Sequence, residues 1–231
     1  MVINIKRYGE ITMISLDFKD IGSKRFINTR TFNPHMSDRL REQYPKMNKF
    51  VDFDGGDRRN QQREHKKRFI SSGSQIKNNI FSTNAVNGEW SGFIEYLNSD
   101  EYTEFVKETL KIDNFELGFE WAVIDDGNDL CPHSDCCKKL GTHLFFFPHL
   151  CWRGIGGDFV FLDKTNNTNN PEMVDFCDQK VVKYKDNCSV LFANSERFRN
   201  WHGVTKVNSL ISRRVFQVIF WSKKDVKCYQ I

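Results

Sequence analysis

Apolar residues recur at different periods along this chain, and the changes of period divide it. Residues 1–35 alternate loosely, with Ile3, Ile5, Ile11 and Met13 on one face and Ile14, Leu16 and Phe18 on the other, which predicts short strands. From Pro45 to Asn87 the chain turns polar, with Gly55-Gly56, a basic run and Ser71-Ser72-Gly73-Ser74, a composition that predicts a long loop or lid. Next, Trp90, Phe93, Ile94 and Leu97, then Tyr102, Phe105, Val106 and Leu110, follow the i, i+3, i+4 spacing of one or two amphipathic helices. Ser99-Asp100-Glu101 supplies an N-cap for the second. After Lys111 the period is two: Phe115, Leu117, Phe119 and Trp121 alternate with other residues. Apolar runs follow at 144–147, at 159–162 after Gly156-Gly157, at 189–193 and at 215–221, while 164–171 reads as an exposed loop. Short strands between turn residues predict a sandwich or barrel. The division is therefore 1–114, with strands, polar lid and helical support, and 115–231, a β core, within one structural domain overall.

Composition changes this picture little. At 231 residues, 39% hydrophobic, the chain can bury a substantial core, and its 21 Phe predict one built of rigid rings. A net charge of +4 neither requires nor forbids a polyanion, and the basic run at Arg58, Arg59, Arg63, His65, Lys66, Lys67 and Arg68 reads first as a solvated face. No stretch has the ~20 apolar residues of a membrane span, and the first ten residues hold no apolar signal-peptide core. With seven cysteines, an odd number, reduced thiols in the cytoplasm are expected.

Candidate chemistry begins at His133-Ser134-Asp135. On extended chain, residues i and i+2 point the same way, so imidazole and carboxylate can grip one ion. His202 follows much later, just before Gly203-Val204. Two histidines and one carboxylate fill one face of an octahedron and leave three positions open, a set suited to Fe(II). Alone, this pattern also fits a surface His-Ser-Asp turn. Arg213 and Arg214, however, stand 11 and 12 residues after His202 at the start of the last apolar strand. A buried guanidinium needs an anion, and a carboxylate is its bidentate match. A dicarboxylate chelating iron at one end would present its other carboxylate there. Arg213 is preferred because Val215 and Gln217 then share its face; Arg214 would instead turn Phe216, Val218 and Phe220 inward.

Over roughly residues 115–222, about half the chain, the sequence resembles the prolyl hydroxylase-like branch of the Fe(II)/2-oxoglutarate-dependent oxygenases. The resemblance is carried, in order, by HSD (133–135), KLGTHLFFFP (139–148), GGDFVF (156–161), WHGVTKV (201–207) and RRVFQVIFW (213–221). It implies a mainly β fold with supporting α, a double-stranded β-helix (jelly roll, cupin-like) behind N-terminal helices. By position it implies His133, Asp135 and His202 as iron ligands, with Arg213, Thr142 and Gln217 around 2-oxoglutarate. Three positions depart from the family: Phe146 replaces a Tyr, Val215 a Ser, and Leu130 a Tyr.

The implied activity is a dioxygenase reaction with O2, releasing succinate and CO2 and hydroxylating an unidentified primary substrate. A peptide or protein side chain, an amino acid or a small metabolite are the candidate substrates, and ascorbate would serve as reductant. A nucleic-acid substrate is disfavoured, because the AlkB-type relatives carry a second Arg where Ile219 or Phe220 stands. Zinc is the rival metal, since Cys131, Cys136, Cys137, His143, His149 and Cys151 crowd the same region without a paired CxxC spacing. A non-catalytic jelly-roll module is the third reading. The segments 45–87 and 163–175 are expected at the substrate entrance.

Overall fold

A computed structural model describes residues 14–52, 68–71, 88–166, 171–194 and 200–224. Among them, three helices, α1 (Pro34–Glu42), α2 (Glu89–Leu97) and α3 (Asp100–Leu110), lie against a pair of antiparallel sheets. The larger sheet contains β1 (Lys19–Asp20), β2 (Arg25–Asn28), β3 (Val51–Asp52), β4 (Arg68–Ser71), β5 (Phe115–Ile124), β7 (Lys139–Phe146), β10 (Ser189–Ala193) and β12 (Arg213–Ser222). Its order is β1-β2-β10-β7-β12-β5-β4-β3. The smaller sheet, β6-β11-β8-β9, contains β6 (Leu130–His133), β8 (Phe159–Thr165), β9 (Phe176–Val182) and β11 (Trp201–Val204). Facing each other, the two form the double-stranded β-helix that the resemblance implies.

Both faces of the larger sheet are buried, which explains the nearly unbroken apolar run of β12. Alternation sends Phe216, Val218 and Phe220 toward the helices, where they join Trp90, Phe93, Trp121, Phe145 and Phe147 in one core. Val215, Phe146, Leu144 and Ala122 turn the other way and meet Phe159, Phe161 and Val204 of the smaller sheet. On the helix side Trp90 is central: its ring lies 5.0–5.2 Å from Trp121, Phe147 and Phe216. Its indole N–H donates to the Leu40 carbonyl at 2.9 Å, tying α2 to α1.

The helical period is borne out, and Ser99 caps α3 by accepting from the Tyr102 N–H at 3.3 Å. Sequence periodicity missed α1, although its start signal was present: Asn33 caps it and Pro34 opens it. Residues 1–13 of the expected N-terminal strands lie outside the described residues. Most of the expected lid, including the basic run up to Lys67, also lies outside them. Two parts of that segment are strands instead of loop: Val51–Asp52 pairs with β4, and Arg68–Ser71 pairs with Val123–Glu120 of β5. An unpaired edge beside β5 would leave backbone donors unsatisfied, and β4 covers it despite its polar flanks. The expected loop over 164–171 is shortened, since β8 continues to Thr165, and β9 went unread because five of its seven residues are exposed and mostly polar.

Candidate metal centre and anion pocket

His133 ends β6 and His202 stands directly opposite on β11, paired residue to residue. Adjacent strands thus bring the imidazoles side by side, with ring centroids 4.3 Å apart. Asp135 follows two residues after His133. One ligand atom from each of the three residues lies within 4.8 Å of the others. The histidines are oriented alike: His133 Nδ1 is 2.9 Å from the Cys131 carbonyl, and His202 Nδ1 is 2.8 Å from that of Asn200. A carbonyl only accepts, so each Nδ1 carries the proton and each Nε2 presents its lone pair. Burial lowers the pKa of His202 from its ordinary value against the opposing pull of Asp135, which keeps the ring neutral near pH 7. At Asp135 burial acts to raise the pKa, but Lys139, His202 and His133 outweigh it and hold the carboxyl well below its usual range.

Asp135 Oδ2 is buried without a hydrogen-bond partner, 3.9 Å from His202 Nε2. A buried carboxylate oxygen left unpaired is costly, and a cation bound between it and two unprotonated Nε2 atoms removes that cost. One anionic oxygen and two imidazole nitrogens fit Fe(II) as a donor set. The cysteines and other histidines on which the zinc reading rested do not assemble as a metal-holding group, and among the described residues only this trio does. His143 sits on the other face of β7, fully buried, with Nδ1 2.9 Å from the Tyr102 hydroxyl and its pKa lowered to about 3 by burial. His149 Nδ1 accepts from the Cys151 N–H at 3.1 Å. Cys136, Cys151, Cys177 and Cys188 are free thiols.

Arg213 and Arg214 open β12 on opposite faces. Arg213 lies on the inward face with Val215 and is only 2% exposed. Its Nε donates to the Gly157 carbonyl at 2.6 Å, and its guanidinium carbon sits 5.4 and 5.0 Å from the rings of Phe146 and Tyr184. Nη2 is buried without a partner. Burial lowers this pKa to about 10, so the group stays cationic at neutral pH. The Gly156-Gly157 turn delivers the carbonyl, and Gly156 is required there: its φ is +79°, and a Cβ would lie 1.9 Å from the Lys206 carbonyl oxygen. Arg214 turns outward over the Tyr44 ring at 5.4 Å.

Thr142 and Gln217 are both on the inward face. Thr142 Oγ1 is buried without a partner, and Thr142 pairs with Phe192, whose ring lies 5.0 Å from that of His202. Gln217 Nε2 donates to the Glu120 carboxylate on the neighbouring strand, so an internal acid already satisfies one of its donors.

Three contributors were not read from the sequence. Lys139 Nζ donates to Asp135 Oδ1 at 2.9 Å. Arg25, 1% exposed, makes a two-pronged ion pair with Asp163 at 2.5 and 2.8 Å, and its Nε donates to Asn200 Oδ1 at 3.1 Å. That fixes the residue whose carbonyl orients His202. The third is Tyr184, whose ring covers Arg213 while its hydroxyl accepts from the Arg214 N–H at 2.7 Å. The i, i+4 spacing of Asp135 and Lys139 was the only available signal; the other two are long-range.

No family model matches the sequence, and no curated protein matches it. Solved structures do. A Pseudomonas putida prolyl-4-hydroxylase superposes with a TM-score of 0.59 at 10% identity, covering 87% of this chain and 94% of its own. A Trichoplax adhaerens prolyl hydroxylase in complex with a hypoxia inducible factor peptide fragment gives 0.56 at 11% identity, over 87% and 84%. HygX from Streptomyces hygroscopicus, with nickel, 2-oxoglutarate and hygromycin B bound, gives 0.54 at 12% identity, over 87% and 84%. The likeness at such identities is one of fold, and the chain folds as the double-stranded β-helix of these 2-oxoglutarate oxygenase and prolyl hydroxylase structures.

Proposed function

We propose that this protein is a non-haem Fe(II)- and 2-oxoglutarate-dependent oxygenase. The observation that carries the reading is a pair of unsatisfied polar atoms between the same two sheets. Asp135 Oδ2 lacks a partner beside the two histidines, and Arg213 Nη2 lacks one where a carboxylate would fit. His133, Asp135 and His202 would hold the metal, and Arg213 would hold the distal carboxylate of 2-oxoglutarate.

When bound, the iron and 2-oxoglutarate supply the oxidising power for O2-dependent C–H hydroxylation, with succinate and CO2 released. The chain's own residues orient and shield. Backbone carbonyls at Cys131 and Asn200 fix the imidazole tautomers, and the Arg25–Asp163–Asn200 cluster anchors one of those carbonyls. Gly157 and the rings of Phe146 and Tyr184 fix the Arg213 guanidinium in a dry pocket, where a charge-assisted pair is strongest. Phe159, Phe161 and Phe192 exclude water around His202. For the primary substrate, structures of similar fold hold a peptide fragment in one case and hygromycin B in another. A peptide or protein side chain, an amino acid or a small metabolite therefore remain the classes to assay.

Anaerobic titration with Fe(II) and 2-oxoglutarate tests the reading. The visible metal-to-ligand charge-transfer band should form in the wild type and vanish in an Asp135→Ala/His202→Ala double variant. No band in the wild type, or an unchanged band in the variant, refutes it.

A further inference from the structure

The Asp135 carboxylate is split between two tasks. Oδ2 faces the histidines with no hydrogen bond, while Oδ1 receives the Lys139 ammonium at 2.9 Å. The lysine and aspartate side chains are 12% and 9% exposed, so this pair is shielded from water, unlike the exposed Lys107–Glu104 pair on α3. Backbone irregularity puts the lysine there. Pairing of β7 with β12 skips a residue between Gly141 and Lys139, a bulge at Leu140 that re-aims the strand's first side chain. The Lys139 N–H closes the turn onto the Cys136 carbonyl at 3.0 Å, and Ser222 N–H holds the Lys138 carbonyl at 2.8 Å.

Building on the metal reading above, we propose that Lys139 is a positioning residue that restricts Asp135 to coordination through Oδ2 alone. A carboxylate can chelate through one oxygen or both. Two histidines and one oxygen leave three of six positions open, two for a chelating 2-oxo acid and one for O2. A second Asp135 oxygen would take one of those three. The ammonium occupies Oδ1 with a charge-assisted bond and, being a cation, opposes approach of the metal to that side. Lys139 thus favours an open site over the tightest metal grip.

The test measures Mn(II) affinity, and then 2-oxoglutarate affinity of the Mn(II)-loaded protein, in the wild type, Lys139→Met, Lys139→Arg and Asp135→Ala, with folding checked by circular dichroism. Lys139→Met should bind Mn(II) as tightly as the wild type or more so, yet bind 2-oxoglutarate about tenfold or more weakly, within the range for losing an outer-shell partner. Lys139→Arg should restore the wild-type value to within about threefold, as it keeps a cationic donor. Unchanged 2-oxoglutarate affinity in Lys139→Met, parallel loss of both affinities, or no rescue by arginine overturns the proposal. If Lys139→Met does not fold, the shorter, neutral Lys139→Gln carries the same comparison. Mn(II) binding that survives Asp135→Ala would instead defeat the metal reading itself, so the two failures are distinguishable.

Discussion

The two faces of the larger sheet are buried to a similar degree and differ in what their polar groups do. On the helix side the core is a continuous array of rings, and the fully buried ionisable pair there, His143 and Tyr102, packs among Phe145, Phe105 and Phe18. On the inward side the polar groups cluster: Arg213, Gln217, Glu120 and Thr142 on one sheet face His133 and His202 on the other. Burial alone therefore marks nothing as functional. What distinguishes the inward face is that Asp135 Oδ2, Thr142 Oγ1 and Arg213 Nη2 are buried there without partners and that His133, Asp135 and His202 group within 4.8 Å of one another. The neighbouring arginines show it most simply, because one residue of register separates a cation aimed between the sheets from one stacked outward on Tyr44.

The contrast predicts that lesions on the two faces separate into loss of binding and loss of stability. Removing the metal carboxylate by Asp135→Ala should have the largest effect. Fe(II) affinity, followed by anaerobic calorimetry, should fall by more than the roughly 10–100-fold typical of an outer-shell loss. On the helix side, Trp90→Ala empties the ring array and should cost about 3–5 kcal/mol in urea unfolding. The folded fraction of that variant should bind Fe(II) normally, and a matching loss of metal affinity would collapse the distinction between faces. For the arginines, Arg213→Met should weaken 2-oxoglutarate binding by about 2–5 kcal/mol, as expected for deleting one member of a buried charge pair. Arg214→Met should leave that affinity unchanged.

The smallest effect concerns pH. Burial holds His143 near a pKa of about 3, against about 6.5 in an unfolded chain. Between those values the unfolded state binds more protons, so stability falls as pH drops through this window. His202, also depressed by burial, acts in the same direction. From pH 6.5 to 5, His143 should contribute a loss of about 2 kcal/mol. His143→Leu should flatten the dependence measured by denaturation in metal-free buffer, and an unaltered slope would refute this assignment.

Much of the fold was legible because periodicity reports burial. The amphipathic repeats at Trp90–Leu97 and Tyr102–Leu110 and the apolar runs at 144–147, 159–162, 189–193 and 215–221 all became elements. β9 and β4 did not declare themselves. One is an exposed edge strand whose alternation is nearly erased, and the other is four residues inside a polar segment. At the site, alternation made legible that His133 and Asp135 lie together and that Arg213 shares the inward face with Val215 and Gln217, whereas His202 was legible only from its place in the WHGVTKV segment. Lys139, Arg25 and Tyr184 could not be read. Their roles depend on a bulge, on a contact across 138 residues between Arg25 and Asp163, and on a ring placed by the turn before β10.

The central claim is that one inward volume holds a metal at three named atoms and a dicarboxylate at one named arginine. A crystal structure with Mn(II) and 2-oxoglutarate, grown without O2, measures this directly. The account predicts Mn(II) on His133 Nε2, His202 Nε2 and Asp135 Oδ2, with the distal carboxylate on Arg213. Metal held by cysteines, or a carboxylate on Arg214, would contradict it.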